Sequence, residues 1–357
     1  MTKRKKYQVA AWVLVILAAL IILAVSGFFV MTRIGKARLQ KNATSQMPVL
    51  SENPEDGQPA EVLEPDDTWE DDWIRYQGGV YDYNENIITF LCMGIDVDDQ
   101  VDKSQKGLNS GQADALFLLV LNPDSKKMSI IAIDRNTMTE IDTYDKNNQY
   151  VSTQLGQIAL AHGYGDGREG SAENTMKSVS GLMYDLPIHG YCAVNMAAIS
   201  DINDAVGGVD VTVLEDLTKA NKVFVKDSQV HLEGKLAYLY VKYRDISVEG
   251  SARLRLNRQK QYLINYVGQA KEALKADMTL PITLFNKILP YMTTNITVDE
   301  VAYLAGTVAG YSFSEEDLIM VPGNTDTSGR FDEFYPDEEQ LKQIIVDVFY
   351  TPVEDAG

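Results

Sequence analysis

Charged residues at the ends of apolar runs are the groups in this chain best placed to do chemistry. Gly94-Ile95-Asp96 closes one run, Ala113-Asp114 opens the next, and Ile133-Asp134-Arg135-Asn136-Thr137 closes a third. A carboxylate beside Leu116, Phe117 and Leu118 is costly unless it is paired or ligates a cation. Two readings are open for Asp96 and Asp114. Each caps a strand end, or the two share a hard cation such as Mg²⁺, which takes one or two carboxylates and fills its shell with water and phosphate oxygens. Asp98, Asp99 and Asp102 read as a solvated acidic loop. A calcium loop of the EF-hand type fails, because its fifth position is Gln100 and no Gly follows.

A second group is cationic: Lys242-Tyr243-Arg244, then Arg255 and Arg258-Gln259. Arg255 and Arg258 are about one helical turn apart and share a face. Arginine holds phosphate oxygens through a planar fork. Salt bridging is the competing reading, because the 357 residues include 32 Lys/Arg against 51 Asp/Glu. Eight of those cations lie in residues 1–41, which hold no acid. The remaining body is strongly acidic and repels phosphate backbones, so no nucleic acid is expected as a partner. Gly163-x-Gly165-x-Gly167 follows a helical run and reads as a turn. His162, His189 and His231 show no triad pattern and read as structural. Cys92 and Cys192 lie in apolar runs and read as buried free thiols without metal-ligand spacing.

The elements that must carry these residues alternate. Strands are expected at 87–93, 115–121, 128–133, 190–194, 209–214 and 318–321, with a turn at Asn122-Pro123-Asp124-Ser125. Helices are expected at 174–182, 197–205, 258–274, 282–291, 298–310 and 338–349, while 236–243 mixes both signals. Leu263, Val267, Ala270 and Leu274 recur at helical spacing. The fold class is α/β, a central mixed sheet covered by helices on both faces.

One transmembrane helix is expected to precede this domain. Residues 9–31 carry no charge, and about 20 apolar residues span the hydrocarbon layer. Lys3, Arg4, Lys5 and Lys6 before it nearly balance Arg33, Lys36, Arg38 and Lys41 after it. A short tail ahead of a long body favours a cytoplasmic 1–8 and an exported body. Residues 32–80, with Pro48, Pro54, Pro59 and Pro65 among acidic residues, read as a tether, and 81–352 as the extracytoplasmic domain.

Taken in order, several stretches resemble the LytR-CpsA-Psr family of bacterial envelope proteins. They are the run from Asn86 to Asp96, Gln112-Ala113-Asp114-Ala115, Ser129 to Thr137, Asp204 to Val213, Leu232 to Arg244, and Arg255 to Gln259. The resemblance implies a single-pass protein of the cell membrane whose outer domain is a phosphotransferase. Its partners are a polyprenyl-pyrophosphate-linked anionic glycopolymer, peptidoglycan and the membrane. By the same resemblance Asp96 and Asp114 hold Mg²⁺, and Arg135, Arg244, Arg255 and Arg258 bind the pyrophosphate. Lys242, Gln259 and Asn195 join the substrate-binding set, and the lipid lies in an apolar tunnel. Four features depart from the family pattern, one being that acidic residues stand soon after Asp96 where an Arg is often found. Asn136 stands where an Asp is usual and brings no base, Lys242 replaces an Arg, and Ser251-Ala252 replace an acidic residue. A divergent polyprenyl-phosphate-binding or regulatory envelope protein is therefore the alternative reading.

Overall fold

The computed structural model describes residues 35, 37–39, 41, 43, 47–50, 70, 72–101, 111–145, 147–245, 247–248 and 251–353. Residues 9–31, the expected membrane helix, lie outside these. Among the described residues no helix is long and apolar enough to cross a membrane.

Fifteen strands are described: β1 (Trp73–Tyr76), β2 (Gly79–Tyr83), β3 (Ile88–Ile95), β4 (Ala113–Asn122), β5 (Lys127–Ile133), β6 (Met138–Tyr144), β7 (Tyr150–Gln157), β8 (Gly190–Asn195), β9 (Val209–Thr212), β10 (Gln229–Leu232), β11 (Met292–Thr294), β12 (Leu318–Met320), β13 (Gly323–Asp326), β14 (Glu333–Pro336) and β15 (Tyr350–Pro352). Six of them form the central sheet in the order β11-β8-β3-β4-β5-β12. The sheet is mixed: β3 pairs with β8 and β5 with β12 in parallel, and the other pairs are antiparallel. Asn122 takes the N–H groups of Asp124 and Ser125 at 3.0 Å, closing the tight turn between β4 and β5.

One sheet face packs on the helices Glu169–Leu182 and Glu338–Phe349 through Leu91, Met93, Leu116, Leu118, Val179 and Ile345. The other face meets the long helix Ser251–Ala276 and the helix Val298–Val308. Helices thus cover both faces, as the alternation of apolar runs predicts. The 236–243 segment resolves as the helix Lys235–Lys242. Cys92 and Cys192 are free and sit opposite each other on β3 and β8.

Three features differ from the sequence expectation. The ordered body begins before residue 81, because β1 and β2 pair with each other and β2 pairs with β15. Part of the tether also docks: Leu39 is fully buried against Ile88, Phe90 and Tyr311, and the Val49 N–H donates to the Tyr184 carbonyl at 2.6 Å. Two hairpins, β6–β7 and β13–β14, carry no strong apolar alternation and were not expected as strands. Exposed β7 offers little apolar periodicity to read.

Candidate active site

The C-terminal ends of β3 and β5 and the start of β4 meet at one edge of the sheet, and this brings the three acid–base clusters together. A groove of about 880 Å³ opens there. Asp114, Arg135, Asn136, Arg244, Arg255 and Gln259 all line it.

Asp114 forms the floor. It is half-buried and pairs with Arg135, whose second terminal nitrogen donates to Gln112 Oε1 at 2.6 Å. Burial raises the Asp114 carboxyl above its ordinary range; Arg135 opposes the shift and Asp96 adds to it. Asp96 is itself exposed and outside the groove lining, 3.8 Å from the Lys242 ammonium. Arg255 has its acidity shifted the other way. Burial lowers it, Asp114 opposes this, and the crowding of Arg244, Arg135 and Arg258 adds to the lowering. Arg135, Arg244 and Arg255 on one groove wall make a local field that favours an anion.

Arg244 reaches the groove from the end of the helix Lys235–Lys242, and its Nε donates to Ser251 Oγ at 3.1 Å. Ser251 opens the long helix, so the residue that departs from the family pattern here orients Arg244. Gln259 is tied to the Val241 carbonyl at 3.2 Å and faces the groove.

Arg258 is a correction. It is 2% exposed and does not line the groove. Its guanidinium pairs with Glu215, donates from Nε to the Tyr240 carbonyl at 2.9 Å, and bonds the Tyr243 carbonyl. With each of its three nitrogens bonded to a protein acceptor and its side chain buried away from the groove, it holds the chain just ahead of Arg244 and presents no fork to a phosphate there.

Lys242 and Asn195 also lie outside the groove lining. Lys242 donates to Asp98 at 2.8 Å and to Tyr238. Desolvation works against its charge, but the bonds to Asp98 and Tyr238 outweigh it and raise the Lys242 ammonium. Asp98 is correspondingly lowered by Lys242 and by Tyr238, whose hydroxyl donates at 2.6 Å. The loop read as merely solvated is therefore fastened to the helix Lys235–Lys242. Buried Asn195 donates to the Asp99 carbonyl at 2.7 Å and pins the same loop from the sheet side.

Asn136 lines the groove, and its side chain is engaged. Gln157 Nε2 donates to Asn136 Oδ1 at 3.3 Å and to the Asp332 carbonyl at 2.7 Å. The carboxylates on the groove wall are Asp114, Asp134 and Asp332. Ala115, Leu116, Phe117, Ile133, Met320 and Phe334 add apolar surface to the lining, and Thr325 and Arg330 add polar groups. Beyond Phe117, between sheet and long helix, Leu119, Leu263, Ile264, Val267 and Phe313 are only partly buried. These side chains pack against Ile130, Ala132 and Leu318 behind the groove wall.

Sequence reasoning missed Gln112, Gln157, Glu215 and the groove wall supplied by β13–β14. Only Gln112 stood inside a recognised motif; the others reach the site from distant parts of the chain.

By sequence, the chain is 26% identical over 278 residues to TagV of Bacillus subtilis, named a polyisoprenyl-teichoic acid–peptidoglycan teichoic acid transferase. That match spans 74% of this chain and 64% of TagV. It is 28% identical over 240 residues to a TagU of Bacillus cereus with the same enzyme name, covering 66% and 69% of the two chains. Among solved structures, gbs0355 of Streptococcus agalactiae superposes with a TM-score of 0.59 at 18% identity, over 73% of this chain and 86% of that one. This likeness speaks to the fold alone. The model of the LytR_cpsA_psr family matches residues 54–347, and the chain belongs to that family.

Proposed function

We propose that this chain moves an anionic glycopolymer from a polyprenyl-pyrophosphate carrier onto peptidoglycan, assisted by Mg²⁺ and anchored in the cell membrane by residues 9–31. The observation that carries this reading is one groove lined both by Arg135, Arg244 and Arg255 beside Asp114 and by the apolar side chains Leu116, Phe117, Ile133 and Met320. A pyrophosphate on an isoprenoid chain has that same division of charge and oil. The relatives named as teichoic acid transferases support the substrate class.

In this reading a peptidoglycan hydroxyl attacks the polymer-linked phosphorus. A new P–O bond forms to the acceptor, the bond to the bridging oxygen breaks, and polyprenyl phosphate leaves. Charge spreads over the phosphoryl oxygens in the transition state, and the arginine forks are placed to take it. Asn136 accepts no proton, so the hydroxyl proton passes to solvent or to a groove carboxylate.

Asp96 and Asp114 are the residues that would hold Mg²⁺. The site fits such a cation in one respect: Asp114 is a half-buried carboxylate on the groove wall, held upward by burial and by Asp96 although Arg135 pairs with it. Among the described residues no group of three or more His, Cys, Asp or Glu is placed to hold a metal. Two carboxylates leave most of an octahedral shell to water and phosphate oxygens. When bound, the ion would offset pyrophosphate charge and polarise its oxygens.

The direct test uses the full-length chain in detergent with Mg²⁺, a polyprenyl-pyrophosphate-linked sugar and a peptidoglycan fragment. Release of polyprenyl phosphate is the expected result. Tight lipid binding without release would favour the second reading, a carrier-binding protein, for which Asn136 is the specific motive. Metal and lipid should bind with positive coupling. Asp114→Asn should weaken binding of the pyrophosphate lipid by about tenfold or more in Mg²⁺ and much less in EDTA. Equal behaviour of the variant and the parent in Mg²⁺, read by calorimetry, would remove the metal from the scheme.

A further inference from the structure

The β13–β14 hairpin closes one side of the groove, and nothing in the pyrophosphate reading uses it. Its base is fixed. β13 and β14 pair from Gly323–Pro336 to Asp326–Glu333, the Phe334 N–H donates to the Asn136 carbonyl at 3.0 Å, and Gln157 ties Asp332 to Asn136. Gly323 is required there, because a Cβ would lie 2.3 Å from the Tyr335 carbonyl oxygen. The tip carries Arg330 and Phe331. Both line the groove, with the guanidinium 5.2 Å from the Phe331 ring centre.

Two features of this tip point to a ligand. Phe331 is 63% exposed, an apolar ring left in water beside a charged groove. Arg330 has no carboxylate within ion-pair distance among the described residues, in a chain with 51 acidic residues to choose from. Arg135 pairs with Asp114, whereas Arg330, like Arg244 and Arg255, presents its guanidinium to the groove without such a partner among the described residues. An aromatic face beside an unpaired guanidinium suits a sugar ring that carries an anionic substituent. The ring stacks on the aromatic face, and the anion takes the planar fork.

Resting on the transferase reading above, we propose that Arg330 and Phe331 recognise the glycan of the donor. Arg330 pairs with a phosphate on the polymer's sugars, and Phe331 supports the ring. They act beyond the pyrophosphate and decide which polymer is accepted. The rigid base holds this reader at a fixed reach from Asp114.

Calorimetry on the full-length chain in detergent with Mg²⁺ tests this with three probes. They are geranylgeranyl pyrophosphate, a polyprenyl-pyrophosphate-linked disaccharide, and the same disaccharide bearing a glycerol phosphate. Arg330→Gln should weaken the phosphate-bearing donor by about tenfold and leave geranylgeranyl pyrophosphate within roughly twofold. Phe331→Ala should weaken both glycosylated probes and spare geranylgeranyl pyrophosphate. Arg330→Lys keeps the charge without the fork and should fall between. Two results overturn the proposal: no change for Arg330→Gln on any probe, or an equal loss on all three. Failure of the parent chain to bind geranylgeranyl pyrophosphate at all is a different result. It rejects the transferase reading and this proposal with it.

Discussion

Arg258 keeps its guanidinium on Glu215 and two backbone carbonyls, whereas Arg244 lies open on the groove with one bond to Ser251. Their substitutions should therefore separate. Arg258→Ala leaves Glu215 and the Tyr240 and Tyr243 carbonyls without their donor, and a broken buried pair costs on the order of 3–5 kcal/mol. Denaturant melting should show that loss. Arg244→Ala should leave the midpoint nearly unchanged and weaken pyrophosphate binding instead; the reverse pattern would refute the assignment. His189 gives a second residue-scale prediction. Burial pushes its imidazole down to about 4, and Nδ1 accepts the Thr89 N–H at 3.1 Å. The unfolded chain, with an ordinary value near 6.5, takes up the proton first. Stability from this group is thus complete above about pH 6.5 and falls as pH drops toward 4, by on the order of 1 kcal/mol per pH unit. An NMR titration should find the ring neutral at pH 5, and a ring already charged there would refute the burial argument.

The long helix Ser251–Ala276 carries Arg255 and Gln259 toward the groove and must be held at a fixed distance from the sheet. It is fastened by amides as well as by oil. Gln261, Asn265 and Gln269, one turn apart, donate to the carbonyls of Thr212, Asp210 and Val206 at 2.8, 2.8 and 3.3 Å. The first two cap the edge of β9 that β10 does not pair, and the third holds the end of the helix Ile199–Ala205 just before it. The apolar stripe Leu263, Val267, Ala270, Leu274 is legible from its spacing, but the polar stripe beside it looks like an ordinary solvated face until β9 is placed against it. The double variant Gln261→Ala/Asn265→Ala should lose about 1–3 kcal/mol, near 1 kcal/mol per neutral hydrogen bond. It should also weaken phosphate-lipid binding, because Arg255 rides on the loosened helix. A change in stability with unchanged affinity would show that Arg255 is positioned by something else.

At the scale of the whole molecule, the chain is acidic, with a net charge of −19, yet Arg135, Arg244, Arg255 and Arg330 line one groove, so the local field there favours anions. The edge of the folded unit is set by packing against the sheets. Leu39 is fully buried, Arg38 pairs with Asp299 at 3.1 Å, and β1 completes the small sheet with β2 and β15. A chain beginning at residue 35 should melt cooperatively. One beginning at 72 should melt lower, for want of Leu39 and the Val49 bond. One beginning at 79 should lose β1 and fall further. Equal melting of all three would show that these contacts contribute nothing.

Local chemistry of the chain determined the class of fold and most of the site's contents. Apolar period and turn residues mark β3, β4, β5 and the helix Glu338–Phe349. Charged residues at the ends of those runs, in family order, mark Asp96, Asp114, Arg135, Arg244 and Arg255. Only the tertiary structure decided which of these cations is free. Whether an arginine meets a carboxylate depends on residues far away in sequence, as Glu215 does for Arg258, and spacing holds no record of that encounter. The hairpin wall was invisible for the same reason. β13 and β14 carry little apolar pattern, and they become part of a site only because their backbone is pinned to Asn136 across the sheet edge.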